Sequence, residues 1–211
     1  MSQIEQEFRQ FLSKNPELET CYQDGLINRR SLARYLIKQD IAKSNQLEAV
    51  IAMLRRFKFK EQKQTKDLFS KIKINIKDKI IILDFQKEKE LIQKLHHLIE
   101  STNYDRGDTL KIVVGSCSVK VFLDEENEKK VKNIVVRFKL QNRLTNLSEI
   151  SVMFPENAIK ERGVLSTITK ELSVNDIVIS ELLTASPELL IYLKEEFVLK
   201  AYDILKRLQK N

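Results

Sequence analysis

Residues 149–205 read EISVMFPENAIKERGVLSTITKELSVNDIVISELLTASPELLIYLKEEFVLKAYDIL, and the spacing of their apolar side chains predicts a small α+β unit. Alternating apolar residues are typical of strands, and apolar residues three or four positions apart are typical of amphipathic helices. The predicted elements are, in order, a strand at 148–154, a helix at 163–172, strands at 177–184 and 189–194, and a helix at 196–209. A hairpin at Ser186-Pro187 with crossover helices favours helices on one face of a sheet.

A similar order of elements precedes this unit. The predicted elements there are a strand at 80–85, a helix at 87–101, strands at 109–114 and 118–123, a short helix at 125–133 and a strand at 134–140. A further strand at 72–76 with a tight turn at Asp78 comes before them, and a polar turn at 141–146 follows. The agreement indicates an internal duplication with a period of roughly 65–70 residues. The alternative is that two unrelated α+β segments share the order by accident.

Four segments of the second unit form an ordered set: Glu161-Arg162-Gly163-Val164-Leu165 at the turn into the first helix, then 172–177, 189–194 and 201–205. With them the unit resembles the ACT domain family, a ferredoxin-like βαββαβ module that commonly binds amino acids or other small effectors. The unit departs from the family because no fourth strand follows its last helix, and the strand at 72–76 is a candidate to complete its sheet. The first unit also departs, because it has no glycine where its helix begins.

The turn into the first helix of the second unit is the candidate ligand site that the resemblance implies. A glycine lets the backbone approach a ligand closely, and the N–H groups at a helix start favour a carboxylate. Glu161 or a facing residue is suited to pair with an ammonium group. The candidate ligand-binding residues are Asn157, Ala158, Ile159, Glu161, Arg162, Gly163, Val164 and Leu165. The alternative is that Gly163 only eases packing at the helix start and that no ligand binds.

The N-terminal part predicts several short helices, one of them starting at Arg29 after the capping residue Asn28. Segments 15–18, 25–35 and 47–50, together with Arg55-Arg56, resemble a helix-turn-helix segment fused to such modules in uncharacterised archaeal regulators. The sequence therefore predicts three domains: a helical, helix-turn-helix-like domain at 1–71, a first ACT-like repeat at 72–145 and a second at 146–211. Residues 60–71 are predicted to form a polar connecting helix.

Basic charge concentrates in the N-terminal third. Residues 29–71 contain 12 Lys and Arg against 4 Asp and Glu, which gives a net charge of +8. A basic patch of this kind is the footprint expected for nucleic acid, and the helix starting at Arg29 is the candidate recognition helix. The candidate nucleic-acid-binding residues are Arg29, Arg30, Arg34, Arg55, Arg56 and Lys58. The alternative is an ordinary helical packing unit with a solvated, lysine-rich face.

The sequence offers no motif for catalysis, a metal or a cofactor. It contains no phosphate-binding loop, dinucleotide fingerprint, zinc-protease motif or nucleophile elbow. Cys21 and Cys117 lie far apart, which argues against a thiolate metal site and favours a reducing compartment. The neighbouring His96 and His97 point in different directions on a helix. No 18-residue apolar run and no apolar leader occur, so we expect a cytoplasmic protein without a membrane span.

These patterns predict a non-catalytic, effector-responsive regulator without a cofactor. We expect it to bind double-stranded DNA as a homodimer through its basic helices, and a small molecule, an amino acid above all, in its ACT-like region. The alternative is a regulatory or protein-interaction subunit that uses the ACT-like module for ligand binding or dimerisation without DNA. An enzyme with an unrecognised site is a third reading.

Overall fold

A computed structural model describes residues 3–59, 66–156, 158, 161 and 163–210. The chain forms two compact units, Met1–Lys63 and Gln64–Asn211. This division lies before the boundary that the sequence predicts after residue 71. Part of the predicted connecting helix, 60–65, lies outside the described residues, and the remainder contributes the short helix Lys66–Phe69 to the second unit.

The first unit is helical. Its helices are α1 (Gln3–Lys14), α2 (Pro16–Gln23), α3 (Arg29–Lys38) and α4 (Leu47–Arg56), with a 3-10 turn at Ser44–Gln46. Their apolar faces meet in one core around Phe8, Leu36 and Leu54. The side chain of Asn28 accepts hydrogen bonds from the backbone N–H groups of Arg30 at 2.9 Å and Ser31 at 3.1 Å. The predicted start of this helix is thus confirmed, because the capping residue satisfies donors that the helix itself leaves free.

The second unit is built on one antiparallel sheet of six strands in the order β2-β3-β1-β4-β6-β5. Its elements are α5 (Lys66–Phe69), β1 (Lys73–Gln86), α6 (Lys89–Ser101), β2 (Leu110–Val114), β3 (Ser118–Asp124), α7 (Glu128–Val135), β4 (Leu140–Met153), α8 (Val164–Ser173), β5 (Ile179–Ala185), β6 (Glu188–Lys194) and α9 (Val198–Lys210). The predicted α+β class is confirmed for this unit, since helices and antiparallel strands share one core.

The two long central strands each serve both repeats. The first half of β1, residues 73–77, pairs with the end of β4, while the second half of β1 pairs with β3 and with the beginning of β4. Each repeat therefore has all the elements of a βαββαβ module. The first half of β4 is the fourth strand of the first repeat, and the first half of β1 is the fourth strand of the second repeat. The candidate strand at 72–76 is confirmed as the source of the missing strand, because Ile74 lies opposite Val152 and Ile76 opposite Ile150.

Three local predictions around these long strands are wrong. Asp78 is not a tight turn between two strands, because β1 continues through it with only a register irregularity between Lys77 and Ile80. The predicted strand at 134–140 is absent, since α7 continues to Val135 and β4 begins at Leu140. The predicted polar turn at 141–146 belongs to β4. The segment is polar because most of its side chains are exposed, and this composition is typical of a turn. Its backbone groups nevertheless pair with β1 and make it a strand.

Helices cover one face of the sheet in each repeat. The core of the first repeat includes Leu83, Leu91 and Val121, contributed by β1, α6 and β3. The core of the second repeat includes Ile168, Ile191 and Ile204, together with Leu68 and Phe69 of α5. The residues 66–69 therefore act as an apolar cover for the second repeat and not as a polar connection.

The opposite face of the sheet is also buried, because the sheet curls until its two halves meet. The rings of Phe122 on β3 and Tyr192 on β6 lie 4.8 Å apart between centroids, although β1 and β4 stand between these strands. Neighbouring strands are about 4.8 Å apart, so three spacings of a flat sheet measure roughly 14 Å. The side chains of Ile80, Ile82, Leu147 and Leu190 complete this inner cluster.

Polar contacts cross between the two halves on the inner face. The Nζ of Lys111 on β2 lies 2.6 Å from Oε2 of Glu149 on β4, and the Tyr192 hydroxyl donates to the same oxygen at 2.6 Å. Lys120 on β3 makes an ion pair with Glu181 on β5. Burial, reinforced by the negative charge of Glu149, raises the pKa of Tyr192. The hydroxyl therefore stays protonated and serves as a donor.

Candidate functional site

A cavity of about 280 Å³ opens at one end of the second repeat. It lies between the end of β4, the turn into α8 and the hairpin that joins β5 to β6. We refer to it as the α8 cavity. Its lining residues are Phe154, Ala158, Glu161, Gly163, Val164, Leu165, Ser166, Thr184, Ser186, Pro187, Glu188 and Leu189. Its size is close to the lower end of the range for small-molecule sites.

Five of the predicted ligand-binding residues line this cavity. They are Ala158, Glu161, Gly163, Val164 and Leu165. Ala158 and Val164 are buried and also belong to the core of the second repeat, whereas Leu165 is 45 % exposed. The other three candidates, Asn157, Ile159 and Arg162, lie outside the described residues. The structure thus brings the described part of the predicted turn to one concave surface.

The backbone of the turn explains the glycine at its end. Gly163 has a φ of 87°, the left-handed conformation that side chains disfavour. A Cβ atom there would meet only the Ser166 hydroxyl at 3.8 Å, so the requirement for glycine comes from the dihedral angle and not from lack of space. Within the described residues no side chain caps the first turn of α8. Its backbone N–H groups therefore provide a partial positive charge at the cavity wall.

Sequence reasoning missed the opposite wall, which the β5–β6 hairpin supplies. The Phe154 N–H donates to the carbonyl oxygen of Pro187 at 3.0 Å, and Met153 lies opposite Glu188 in the sheet. These contacts hold the hairpin against the end of β4. The signal was available, because the hairpin at Ser186-Pro187 is predicted correctly. Its proximity to the α8 turn follows only when the strand order is known.

Among the described residues that line the α8 cavity, the charged ones are Glu161 and Glu188. Glu161 is exposed at the turn, and Glu188 is half-buried at the start of β6, where its Oε1 accepts a hydrogen bond from the Ser151 hydroxyl. Neither glutamate takes part in an ion pair with any residue that the structure describes. The described lining also contains no Lys, Arg or His. The Glu188 side chain lies with Ser151 and Tyr192 on the inner face of the sheet, away from α8, so Glu161 is the carboxylate that the described lining places beside the helix start.

The first repeat has no comparable turn. Only residues 87 and 88 connect β1 to α6, whereas residues 154–163 connect β4 to α8. The Lys87 N–H donates to the Cys117 carbonyl at 3.1 Å, which is the counterpart of the bond between Phe154 and Pro187. The Lys87 ammonium group also donates to the Gly115 carbonyl at 2.9 Å. A lysine side chain therefore links the helix entry to the hairpin at the place where the second repeat is open.

All six predicted nucleic-acid-binding residues are exposed in the first unit. Arg29 and Arg30 at the start of α3 and Arg55 near the end of α4 line a shallow concavity of about 380 Å³, which we call the arginine concavity. Its other lining residues are Tyr22, Gly25, Ile27, Asn28, Glu48 and Ile51. Arg30 lies 3.7 Å from Glu48 in an exposed ion pair. The concavity does not include Arg34, Arg56 or Lys58.

Comparison with known proteins gives structural similarity without sequence similarity. The sequence matches no protein-family profile and no curated protein. The second unit is similar to Clostridium acetobutylicum aspartate kinase, an allosteric enzyme, with a TM-score of 0.53 and 15 % identity over 64 % of this chain. The similarity spans 34 % of the length of that enzyme.

Two further solved structures show the same relation. A putative C-terminal regulatory domain of aspartate kinase from Porphyromonas gingivalis W83 matches with a TM-score of 0.51 and 13 % identity, over 66 % of this chain and 98 % of that one. E. coli aspartokinase III in complex with aspartate and ADP matches with a TM-score of 0.51 and 12 % identity, over 65 % of this chain and 33 % of that enzyme. These similarities confirm an ACT-like fold for the α+β part of the chain.

No helix in the described part of the chain is both long enough and apolar enough to cross a bilayer.

Proposed function

We propose that this chain is a non-catalytic, cytoplasmic regulatory protein whose second repeat binds a free amino acid in the α8 cavity. The observation that carries the proposal is that, in the described residues, an uncapped helix start and the carboxylate of Glu161 share one small concave surface with apolar walls. A free amino acid has one negative and one positive group, and this surface offers an opposite partner to each. The apolar walls accept the aliphatic part of a side chain.

Each end of the ligand has a partner of suitable chemistry. The carboxylate of the amino acid lies at the N-terminus of α8, where the helix dipole and the N–H groups of Val164 and Leu165 favour an anion. The ammonium group lies toward Glu161, since a charged donor and a carboxylate make the stronger type of hydrogen bond. The left-handed Gly163 lets the backbone come close to the ligand.

Structural similarity supports a regulatory role for this arrangement. The Porphyromonas structure that the second unit resembles is a putative regulatory domain of aspartate kinase, and the E. coli enzyme was solved with aspartate bound. A ligand of the α8 cavity regulates by binding two arrangements of the protein with different affinity. The interlocked strands β1 and β4 connect the cavity directly to the first repeat, so the two repeats respond together.

A thermal-shift screen against the twenty amino acids at millimolar concentration tests this proposal. A ligand at about 100 times its dissociation constant stabilises the native state by roughly 2.7 kcal/mol, which is readable as a higher melting temperature. The Gly163→Leu variant should lose the shift. Gly107→Leu is the matched control, because Gly107 has a similar φ of 84° and open space around it in the first repeat. If no amino acid raises the melting temperature, the proposal is wrong.

We also propose that the first unit binds double-stranded DNA, with α3 as the recognition helix of a helix-turn-helix-like arrangement and with the chain acting as a homodimer. The observation in its favour is the exposure of all six basic candidates, three of which meet at the arginine concavity. Arginine side chains at a helix start suit phosphate and base-edge contacts. The competing proposal is that the same face binds an acidic protein partner.

Salt dependence of binding separates the two partners. DNA affinity should fall as salt rises, with a slope of about −0.9 for each phosphate contact. Arg29→Ala and Arg34→Ala should weaken binding to a labelled duplex and reduce the slope. Lys170→Ala serves as the control, because Lys170 is an exposed lysine of the second repeat. If the chain does not bind the duplex at low salt, the DNA proposal is wrong and the acidic protein partner remains. Sedimentation analysis tests whether the chain forms a homodimer.

A further inference from the structure

The arginine concavity of the first unit is lined by cations that come from two different helices. Arg29 lies four residues before the buried Ala33, so it shares the face of α3 that packs into the core of this unit. In α4, Arg55 lies four residues after Ile51, and both residues line the concavity. The periodicity of each helix therefore directs these two arginines toward the same concave surface.

The guanidinium groups of the arginine concavity have unused hydrogen-bond donors. Among the described residues, the guanidinium groups of Arg29 and Arg55 take part in no ion pair and donate no hydrogen bond. The guanidinium group of Arg30 lies 3.7 Å from the Glu48 carboxylate, which is longer than a hydrogen bond. The Tyr22 hydroxyl, by contrast, donates to a backbone carbonyl at 2.6 Å. The concavity therefore offers arginine donors to an acceptor from outside.

The shape of the arginine concavity decides which part of a duplex it suits. Base edges lie at the floor of a groove, so a side chain on a protruding element must reach in to contact them. Phosphate groups lie on the outside of the duplex, and a concave surface lined by cations can receive one of them. Guanidinium groups suit this role, because each can donate two parallel N–H bonds to phosphate oxygens. Arg34 is exposed on α3 outside the concavity and remains available for base edges.

We infer that Arg29, Arg30 and Arg55 together hold a single phosphate group of the duplex, and that the arginine concavity adds affinity without reading base sequence. This inference rests on the proposed DNA binding by the first unit, because it assigns the chemical role of one part of that surface. On an ordinary basic face, each arginine would instead contact a phosphate of its own. The two arrangements differ in how many phosphates the three arginines neutralise, and salt dependence measures that number.

Salt titrations of the full chain with a fluorescently labelled duplex test the inference. The variant combines Arg29→Ala, Arg30→Ala and Arg55→Ala, all at exposed positions, so the fold should persist. If the arginines share one phosphate, the slope of log affinity against log salt should become shallower by about 0.9, whereas three separate contacts would make it shallower by about 2.7. Lys14→Ala is the control, because Lys14 is an exposed cation at the end of α1 outside the concavity. It should leave the slope unchanged.

A double-mutant cycle tests whether arginines on different helices act on the same phosphate. Arg29→Ala and Arg55→Ala should each weaken duplex binding roughly fivefold, the loss expected for a typical hydrogen bond. Their combined loss should be smaller than the product of the single losses, because the second replacement acts on a contact that the first has already weakened. Arg34→Ala combined with Arg55→Ala should give the full product, since Arg34 lies outside the concavity.

The outcomes separate this inference from the proposed DNA binding. A slope change of three contacts, or a full product for the pair Arg29 and Arg55, would overturn the shared phosphate and leave DNA binding intact. A triple variant that binds the duplex as tightly as the unmodified chain would overturn any role of the arginine concavity. If the unmodified chain does not bind the duplex at low salt, the DNA proposal and this inference are both wrong.

Discussion

The two repeats have the same βαββαβ order and differ at the entry to their first helix. In both, the residue after the first strand donates its backbone N–H to the β-hairpin, from Lys87 to Cys117 and from Phe154 to Pro187. The first repeat then enters its helix at once, and the Lys87 ammonium group bonds to the hairpin. The second repeat inserts a turn that ends in the left-handed Gly163, and a cavity results.

This difference shows which part of the site the shared architecture supplies. The strand order brings a hairpin beside a helix start in either repeat, because antiparallel pairing places the end of one strand next to the beginning of the other. The length of the connecting turn then decides whether the space between them is bridged or open. We therefore expect ligand binding to be a property of the second repeat, while the first repeat contributes to stability.

The inner face offers a second comparison of equivalent positions. Phe122 and Tyr192 occupy the same position in β3 and β6 and contact each other across the curled sheet. Only Tyr192 has a hydroxyl group, and it donates to Glu149. Glu149 in turn occupies the position of Ile82 in the first repeat. The second repeat thus carries the polar groups of an interface to which the first repeat contributes Lys111 and Lys120.

The largest effect is expected from truncating either ring of this pair. Tyr192→Ala and Phe122→Ala should each lower the free energy of unfolding by about 3–5 kcal/mol, because both side chains are fully buried. Tyr192→Ala should cost more, since it also removes the hydrogen bond to Glu149. Urea denaturation measures both values. A loss below about 1 kcal/mol for either variant would contradict the packing of the two halves against each other.

The two lysines that cross from the first repeat to the second should differ in importance. Lys111→Ala leaves the carboxylate of Glu149, which is only 9 % exposed, without its cation, and should cost about 2–3 kcal/mol. Lys120→Ala leaves Glu181, which is less buried, without its cation. It should lower the free energy of unfolding by about 1 kcal/mol or less. Denaturant midpoints under identical conditions compare them. Equal losses of unfolding free energy in the two variants would mean that burial of the carboxylate does not decide how much the ion pair stabilises the protein.

A smaller effect is expected from the hydroxyl group that distinguishes Tyr192 from Phe122. Tyr192→Phe should lower the free energy of unfolding by about 1–2 kcal/mol, because the buried Glu149 loses one donor but keeps Lys111. The reverse exchange at the other position, Phe122→Tyr, adds a hydroxyl group that has no assigned acceptor. If Tyr192→Phe were neutral, the bond to Glu149 would contribute nothing to stability.

The smallest effect concerns acid stability, where the first repeat has a feature that the second lacks. Arg143 donates to both oxygens of Glu128, at 2.6 and 2.9 Å, and this hydrogen bonding lowers the pKa of Glu128. A carboxyl whose pKa is lower in the folded state stabilises the protein above its unfolded pKa, and the contribution is lost as pH falls through the folded pKa. Stability should therefore decline below the ordinary pKa of 4.5.

The matched variant for this prediction is Glu128→Gln. It should be slightly less stable than the unmodified chain at pH 7 and should lose less stability as the pH falls below 4.5. Val198 begins α9 where Glu128 begins α7, so the second repeat offers no equivalent titration. Thermal melts across the acid range measure the difference. An unchanged pH profile in Glu128→Gln would show that the pair with Arg143 does not contribute.

Much of the second unit could be predicted from local patterns. The apolar runs over 80–85 and 189–194 and the helical spacing of α8 and α9 predict elements close to those observed. The proposed completion of the sheet by residues 72–76 is also confirmed. The polar segment 141–146 shows where such patterns fail. Its side chains favour a turn, but hydrogen bonding to β1 satisfies the backbone and makes it a strand.

Only one wall of the α8 cavity, the turn before α8, could be predicted from the sequence. The glycine turn has a local signature, because only a few residues tolerate a positive φ before a helix. The opposite wall, with Ser186, Pro187 and Glu188, has no such signature, because the identity of these residues does not indicate which loop lies beside them. Likewise, the sequence predicts exposed arginines in the first unit. It does not show that Arg55 lines the same concavity as Arg29 and Arg30 while Arg34 does not.

By itself, the sequence determined most of the order of helices and strands, the duplication, the turn at Gly163 and the basic character of the first unit. These features depend on neighbours along the chain, where periodicity, capping and dihedral preference act. Only the tertiary structure decided that each repeat takes its fourth strand from β1 or β4 and that the sheet curls until Phe122 meets Tyr192. It also decided that the β5–β6 hairpin lies beside the α8 turn. The physical reason is that strand pairing and face-to-face packing join residues far apart in the chain, and their free energy comes from burial and hydrogen bonds that no local segment contains.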